Sequence, residues 1–151
     1  MALLDLLIVL QCSLALLMAL HDWVHLPPLT DIHALAAKHS IKERVLTTLI
    51  NTGLVLFPLI LCIRFRPGPL PTWALASVFA VYALLTIGTI AAWWVPYIFG
   101  SSAKHKQGFI EYRDTHTFLP AHGDNVVPNT LHVILHLHAW ICLLLIIWLA
   151  F

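Results

Sequence analysis

The stretch Leu131-His-Val-Ile-Leu-His-Leu-His-Ala-Trp-Ile-Cys-Leu-Leu-Leu-Ile-Ile-Trp-Leu-Ala-Phe151 dictates the architecture of this chain, because its 21 residues include no Asp, Glu, Lys or Arg. At about 1.5 Å of rise per residue, a helix of that length spans the roughly 30 Å of hydrocarbon in a bilayer. Inside hydrocarbon every backbone N–H and C=O must be paired within the segment, which a helix does and a lone strand does not. The run also opens with three histidines, His132, His136 and His138, in its first turns.

Toward the N-terminus, three more apolar runs extend from about Leu3 to His25, Val45 to Ile63 and Trp73 to Tyr97. A chain of 151 residues that is 60% hydrophobic and only 10% charged departs from soluble composition in the direction of a membrane protein. The expectation is an all-α, integral membrane four-helix bundle, with residues 1–151 forming one domain and a partly helical polar loop joining spans three and four. Met1-Ala-Leu-Leu-Asp5 has no basic residue and leads into a run longer than a signal-peptide core, so the first run reads as a retained helix. Cys12, Cys62 and Cys142 are isolated within spans and read as small apolar residues, not as a thiolate site. A formal charge of +1 points to no nucleic-acid partner. The expected partners are the lipid bilayer and a lipid-like small molecule.

Between the spans, Pro27-Pro28 ends the first helix, since the residue before a proline is pushed out of helical geometry. Residues 30–40 predict a short interfacial helix capped by Thr30 or Asp31. Residues 64–71 form a Pro/Gly-rich turn. In the long polar segment from Ser101 to Asn129, Lys104 to Thr117 predicts an amphipathic helix and Pro120 to Asn129 a loop. Trp23, Trp93, Trp94 and Tyr97 make an aromatic belt at one end, with Trp73 and Trp148 at the other. Gln11, Ser13, Asn51 and the threonines near Asn51 predict hydrogen bonds between helices, and Gly53 and Gly88 predict close helix approach.

All ten histidines fall between His21 and His39 or between His105 and His138, and the topology puts both segments at one end of the bundle. The loops at that end carry six basic residues against two in the opposite turn, so the histidine-bearing loops are expected in the cytoplasm. On a helix, positions four apart share a face. His21 with His25, and His132 with His136, therefore form two pairs able to meet across the bundle. Imidazole is the commonest metal-binding side chain, and nearby carboxylates supply oxygen donors or orient the rings. The expected ligands are His21, His25, His132, His136, His116 and His122, with Asp114 or Glu111 as ligand or general base. Such a nitrogen and oxygen set suits iron or zinc.

His21-Asp-Trp-Val-His25 and His132-Val-Ile-Leu-His136-Leu-His138 resemble the histidine boxes of integral-membrane desaturases and hydroxylases, in which clustered histidines hold two irons that activate oxygen. The resemblance covers less than a tenth of the chain, and the adjacent His-His pairs of that class are absent. It implies a membrane-embedded, oxidoreductase-like metalloenzyme acting on a lipid-like or other apolar substrate. Three rival readings use the same residues. They are a haem held between histidines of two helices, a metal or proton transporter, and a metal-free lipid-binding or isomerase-like protein.

Overall fold

The computed structural model describes Ala2 to Ala150; Met1 and Phe151, the expected end of the fourth span, lie outside the described residues. Four helical spans carry the fold: α1 (Ala2–Leu20), α3 (Ile41–Arg64), the third span built from α4 (Thr72–Thr89), a π-helical turn (Ile90–Trp94) and α5 (Val95–Phe99), and α7 (Thr130–Ala150). At 19, 24, 28 and 21 residues, each is long and apolar enough to cross a membrane. Short helices α2 (Ile32–Lys38) and α6 (Ala103–Gly108), with a 3-10 turn over Ile110–Tyr112, occupy the polar links. No strand occurs among the described residues. The chain is an all-α four-helix bundle of membrane type.

Local chemistry sets most boundaries. Asp31 caps α2, its carboxylate accepting from the backbone N–H groups of His33 and Ala34 at 3.0 Å each. Ser40 and Glu43 form a reciprocal capping box on α3, which satisfies two otherwise orphaned N–H groups. Asn129 starts α7: its side-chain oxygen accepts from the His132 N–H at 2.9 Å. Gly100, at φ +122°, closes the third span in a backbone conformation that side-chain-bearing residues avoid.

Helix α1 packs on both α3 and α7, and α4 packs on α7, while α3 and α4 touch more sparsely. The core follows that ring, with Leu7, Leu14, Val55, Val78, Tyr82, Cys142 and Ile146 buried along the bundle axis. Gln11 is buried there too, its amide facing Tyr82 of α4 and Cys62 of α3, although neither amide atom makes a hydrogen bond of full geometry among the described residues. Thr48 does bond between segments, accepting from the Trp23 indole N–H at 2.8 Å.

Three features differ from expectation. Helix α1 stops at Leu20, so His25 stands outside its last turn. Thr30 accounts for the turn, because its hydroxyl donates to the Val24 carbonyl and accepts from the Leu26 N–H, folding the chain back before Pro27. The expected amphipathic helix over 104–117 is broken after Gly108 into α6 and the 3-10 turn. Gly53 and Gly88 do not sit against a neighbouring helix; a Cβ at either position would meet open space.

Candidate functional site

The ends of α1 and α3, the π turn and the start of α7 converge at the end of the bundle covered by α2, α6 and the 3-10 turn. Arg44 of α3 donates to the Asp22 carbonyl and lies over the Trp23 ring at 4.4 Å, a cation–π contact that ties α3 to the end of α1. The π turn inserts an extra residue and so rotates the end of the third span relative to α4. Trp93 is thereby buried against the His132 ring, with centroids 4.3 Å apart. Trp94 reaches His136. Trp93 is thus part of the interior and not of an interfacial belt.

His21, His132 and His136 come together here. The His21 and His132 centroids are 6.1 Å apart, and those of His132 and His136 are 6.2 Å apart. Their hydrogen bonds assign each ring a role. His21 Nδ1 faces the Leu17 and Met18 carbonyls at 3.2 and 3.1 Å, which can only accept, so this nitrogen carries hydrogen. Its Nε2 lies 3.2 Å from the Asp22 carboxylate, with both side chains almost completely buried. His132 Nδ1 lies 2.7 Å from Asn129 Oδ1. The Asn129 amide orientation is set by the His132 backbone N–H on Oδ1 and by the Thr115 hydroxyl 2.8 Å from Nδ2. His132 therefore donates from Nδ1 and leaves Nε2 as a free base. His136 is the opposite tautomer: Trp94 donates its indole N–H to Nδ1 at 3.1 Å, so the neutral ring carries hydrogen on Nε2.

The other residues named from sequence stand elsewhere. His25 stacks edge-on with His33, centroids 5.2 Å apart, on the exposed turn. His116 is exposed; its ring bonds the Thr130 hydroxyl at 2.7 Å, and its backbone joins Pro28 to α7. His122 is exposed near Tyr97. Asp114 is exposed beside Arg113 at 3.5 Å. Glu111 is buried but committed to a clasp with α2, accepting from Lys38 at 2.5 Å and from His39 at 3.1 Å. His138 faces its own helix, 3.0 Å from the Ile134 carbonyl. Among the described residues, no group of three or more His, Cys, Asp or Glu side chains is arranged to hold a metal ion.

Three spaces surround the cluster. A small cavity of about 10 Å³, room for one water molecule, is bounded by His21, Asp22, Tyr112, Thr115, Asn129 and His132 among others. Burial, with the Asp22 and Glu111 carboxylates nearby, pushes the Tyr112 phenol above its usual range, which keeps its O–H as a donor there. A larger crevice of about 510 Å³ lies between α3 and α4, where the ring of helices is loosest. Leu54, Leu84, Leu85, Gly88 and Leu135 line it, with Asn51 on one wall and His21, His132 and His136 at its head. Among the described residues, no Asp, Glu, Lys or Arg lines it. Leu54 and Leu84 are exposed on the outside of the bundle, so the crevice opens sideways toward the bilayer. The third space is a polar vestibule of about 280 Å³ on the covered end, which also reaches His132.

Asn129, Trp93, Trp94 and Tyr112 were not recognisable from sequence as site residues. Asn129 carried a usable signal, an N-cap residue three positions before a histidine; the roles of the tryptophans depend on a π turn that no spacing announces. No protein-family model, no curated protein and no solved structure matches this chain.

Proposed function

We propose that the chain binds an uncharged, lipid-like molecule in the crevice between α3 and α4, and that its three clustered imidazoles act on the polar end of that molecule by proton transfer. The observation that supports this reading is the composition of the crevice: apolar walls, imidazoles at the head, and no Asp, Glu, Lys or Arg among the described residues that line it. A phosphate or carboxylate headgroup would find no Lys or Arg in that lining, and the His21 ring, which faces acceptors from both nitrogens, is already matched by the buried Asp22 carboxylate, so the added charge would stand unpaired at some expense. A long-chain alcohol, ketone or quinone-like carbonyl compound meets no such obstacle. His132 supplies a free Nε2 as base, while His136 supplies an Nε2–H donor from a ring whose centroid is 6.2 Å away. A base and a hydrogen-bond donor at that separation suit proton removal beside a carbonyl whose oxygen accepts the donated hydrogen.

An iron- or zinc-based oxidoreductase held by the expected histidine ligands asks for a different arrangement. His136 would have to give up its bond from Trp94, and His25, His116 and His122 would have to leave their turns and loops. The metal-free reading needs no such movement.

The test is to purify the protein in lipid nanodiscs and offer it two photoactivatable probes, a diazirine-bearing long-chain alcohol and the corresponding long-chain phosphate. The expected outcome is crosslinking by the alcohol at crevice residues such as Leu84 and Leu135, competed by co-purified neutral lipid, with little crosslinking by the phosphate. Metal content and the absorption spectrum are measured on the same sample. Stoichiometric iron or zinc that His132→Ala removes, or an intense haem band, with no crosslink in the crevice, would overturn the proposal.

A further inference from the structure

His132 lines all three spaces at once: the membrane-facing crevice, the polar vestibule and the single-water cavity. Among the described residues, Trp93 alone joins it in lining both crevice and vestibule. Unlike the crevice, the vestibule has charged side chains in its lining. Glu43, Thr47 and Gly108 stand exposed at its mouth, and Asp22, Trp93 and Glu111 are buried at its floor. The charged and titratable groups around it are Asp22 after α1, His39 after α2, Glu43 and Arg44 on α3, Glu111 and Tyr112 from the 3-10 turn, and His132 on α7; the third span and α6 add only Trp93 and Gly108. A space of this polarity holds water, because its carboxylates and guanidinium keep hydrogen-bonding capacity that apolar contents cannot satisfy.

From this geometry we infer that His132 is reached from two phases, with water arriving through the vestibule while the bilayer side is served by the crevice. The side chains of His132 and Trp93 separate the two. Water is thus the site's proton carrier, taking protons from and returning them to His132 Nε2. Water access is independent of what fills the crevice; the statement that the water meets a lipid-like molecule rests on the function proposed above. The Glu111 clasp gains a purpose in this arrangement. By tying the 3-10 turn to α2 through Lys38 and His39, it holds the vestibule wall in place.

Accessibility of introduced thiols tests this without any known substrate. In a chain whose Cys12, Cys62 and Cys142 are replaced by alanine, His132→Cys is exposed in sealed vesicles to a charged, membrane-impermeant thiol reagent. The expected result is labelling only when the reagent is on the side that carries α2. Adding Gly108→Trp, which places a ring at the vestibule mouth where a Cβ meets open space, should abolish that labelling. Trp93→Cys is the second variant, expected to behave in the same way should His132→Cys fold poorly. Leu85→Cys, a half-buried position in the crevice, should react with a lipophilic maleimide and not with the charged reagent. Labelling of the His132→Cys and Trp93→Cys variants by lipophilic reagents alone, or labelling untouched by Gly108→Trp, would overturn the two-phase inference. Failure of Leu85→Cys to react with the maleimide counts against the crevice reading and leaves the vestibule result standing.

Discussion

The indole N–H of Trp94 points at Nδ1 of His136 across 3.1 Å, and this contact divides the labour between two histidines one turn apart on α7. His132, anchored through the same ring atom to an acceptor instead of a donor, keeps the opposite tautomer. Two chemically identical side chains thus present a base and a donor. Trp94→Phe should erase the distinction. Nitrogen NMR of labelled histidine is expected to show the native neutral His136 with hydrogen on Nε2, and a mixture of tautomers in the variant. The lost bond should lower stability by about 1 kcal/mol. An unchanged spectrum would mean that something other than Trp94 orients the ring.

Asn129 acts twice, as the cap of α7 and as the acceptor for His132 Nδ1. Asn129→Ala should cost about 1–3 kcal/mol, since it removes a cap and leaves a ring N–H without its partner. Asn129→Asp retains both acceptor functions and should keep hydrogen on His132 Nδ1, while losing the bond to Thr115 and burying a carboxylate. Chemical denaturation in detergent, with nitrogen NMR of His132, separates the two outcomes. A His132 tautomer unchanged in the Ala variant would reduce Asn129 to a cap alone.

How far the sequence revealed this site depends on which residue is asked about. The spans were legible because hydrocarbon tolerates so few structures, and the uncharged run after His138 leaves the chain no alternative. The shared location of the histidines followed from span parity alone. The pairing of His132 with His136 was also readable, since α7 is helical through both. His21 with His25 was not, because the i,i+4 rule holds only within a helix and α1 stops at Leu20, where the Thr30 hydroxyl bonds turn the chain. Ring orientation was beyond reach altogether. It depends on Asn129 and Trp94 as partners, and the second of these is delivered by a π turn.

The pH response of α2 follows from its cap. Hydrogen bonds from the Ala34 N–H and then the His33 N–H, helped by charge on His33 and His25, hold the Asp31 carboxyl below its ordinary value of 3.8. A carboxyl lowered on folding contributes stability that is present above the ordinary value and lost as pH falls through the lower, folded value. Protection of the His33 and Ala34 amides against hydrogen exchange, taken relative to the unstructured-chain rate at each pH, should therefore fall below pH 3.8 and hold above it. Asp31→Asn retains an acceptor for the cap and should flatten that dependence. Protection that falls equally in the Asn variant would assign the acid response to another group.

Gln11 tests the bundle interior. Its side chain is fully buried on α1, and both amide atoms lack hydrogen-bond partners among the described residues. An unsatisfied buried polar group costs about 1–3 kcal/mol, and replacement by an apolar residue of similar size removes that cost. Gln11→Leu should accordingly stabilise the bundle by an amount in that range, read as a shift of the denaturation midpoint in detergent. Destabilisation instead would show that the amide has a partner, such as an internal water, that the variant expels.

Gly88 separates folding from binding. It lies on the crevice wall in the third span, and a Cβ there meets nothing within 4 Å. Gly88→Ala adds a methyl group to open space and reduces the freedom of the unfolded chain, so stability should rise by about 0.4–1 kcal/mol with crosslinking of the long-chain alcohol intact. Gly88→Trp uses the same tolerant backbone position but fills the crevice below the imidazoles. It should fold with unchanged helicity and lose the alcohol crosslink at Leu135. The contrast matters because a crevice created only by loose packing of α3 on α4 would close on filling, and the Trp variant would then gain stability without losing any ligand. Loss of ligand at constant stability is the outcome that an occupied binding site requires.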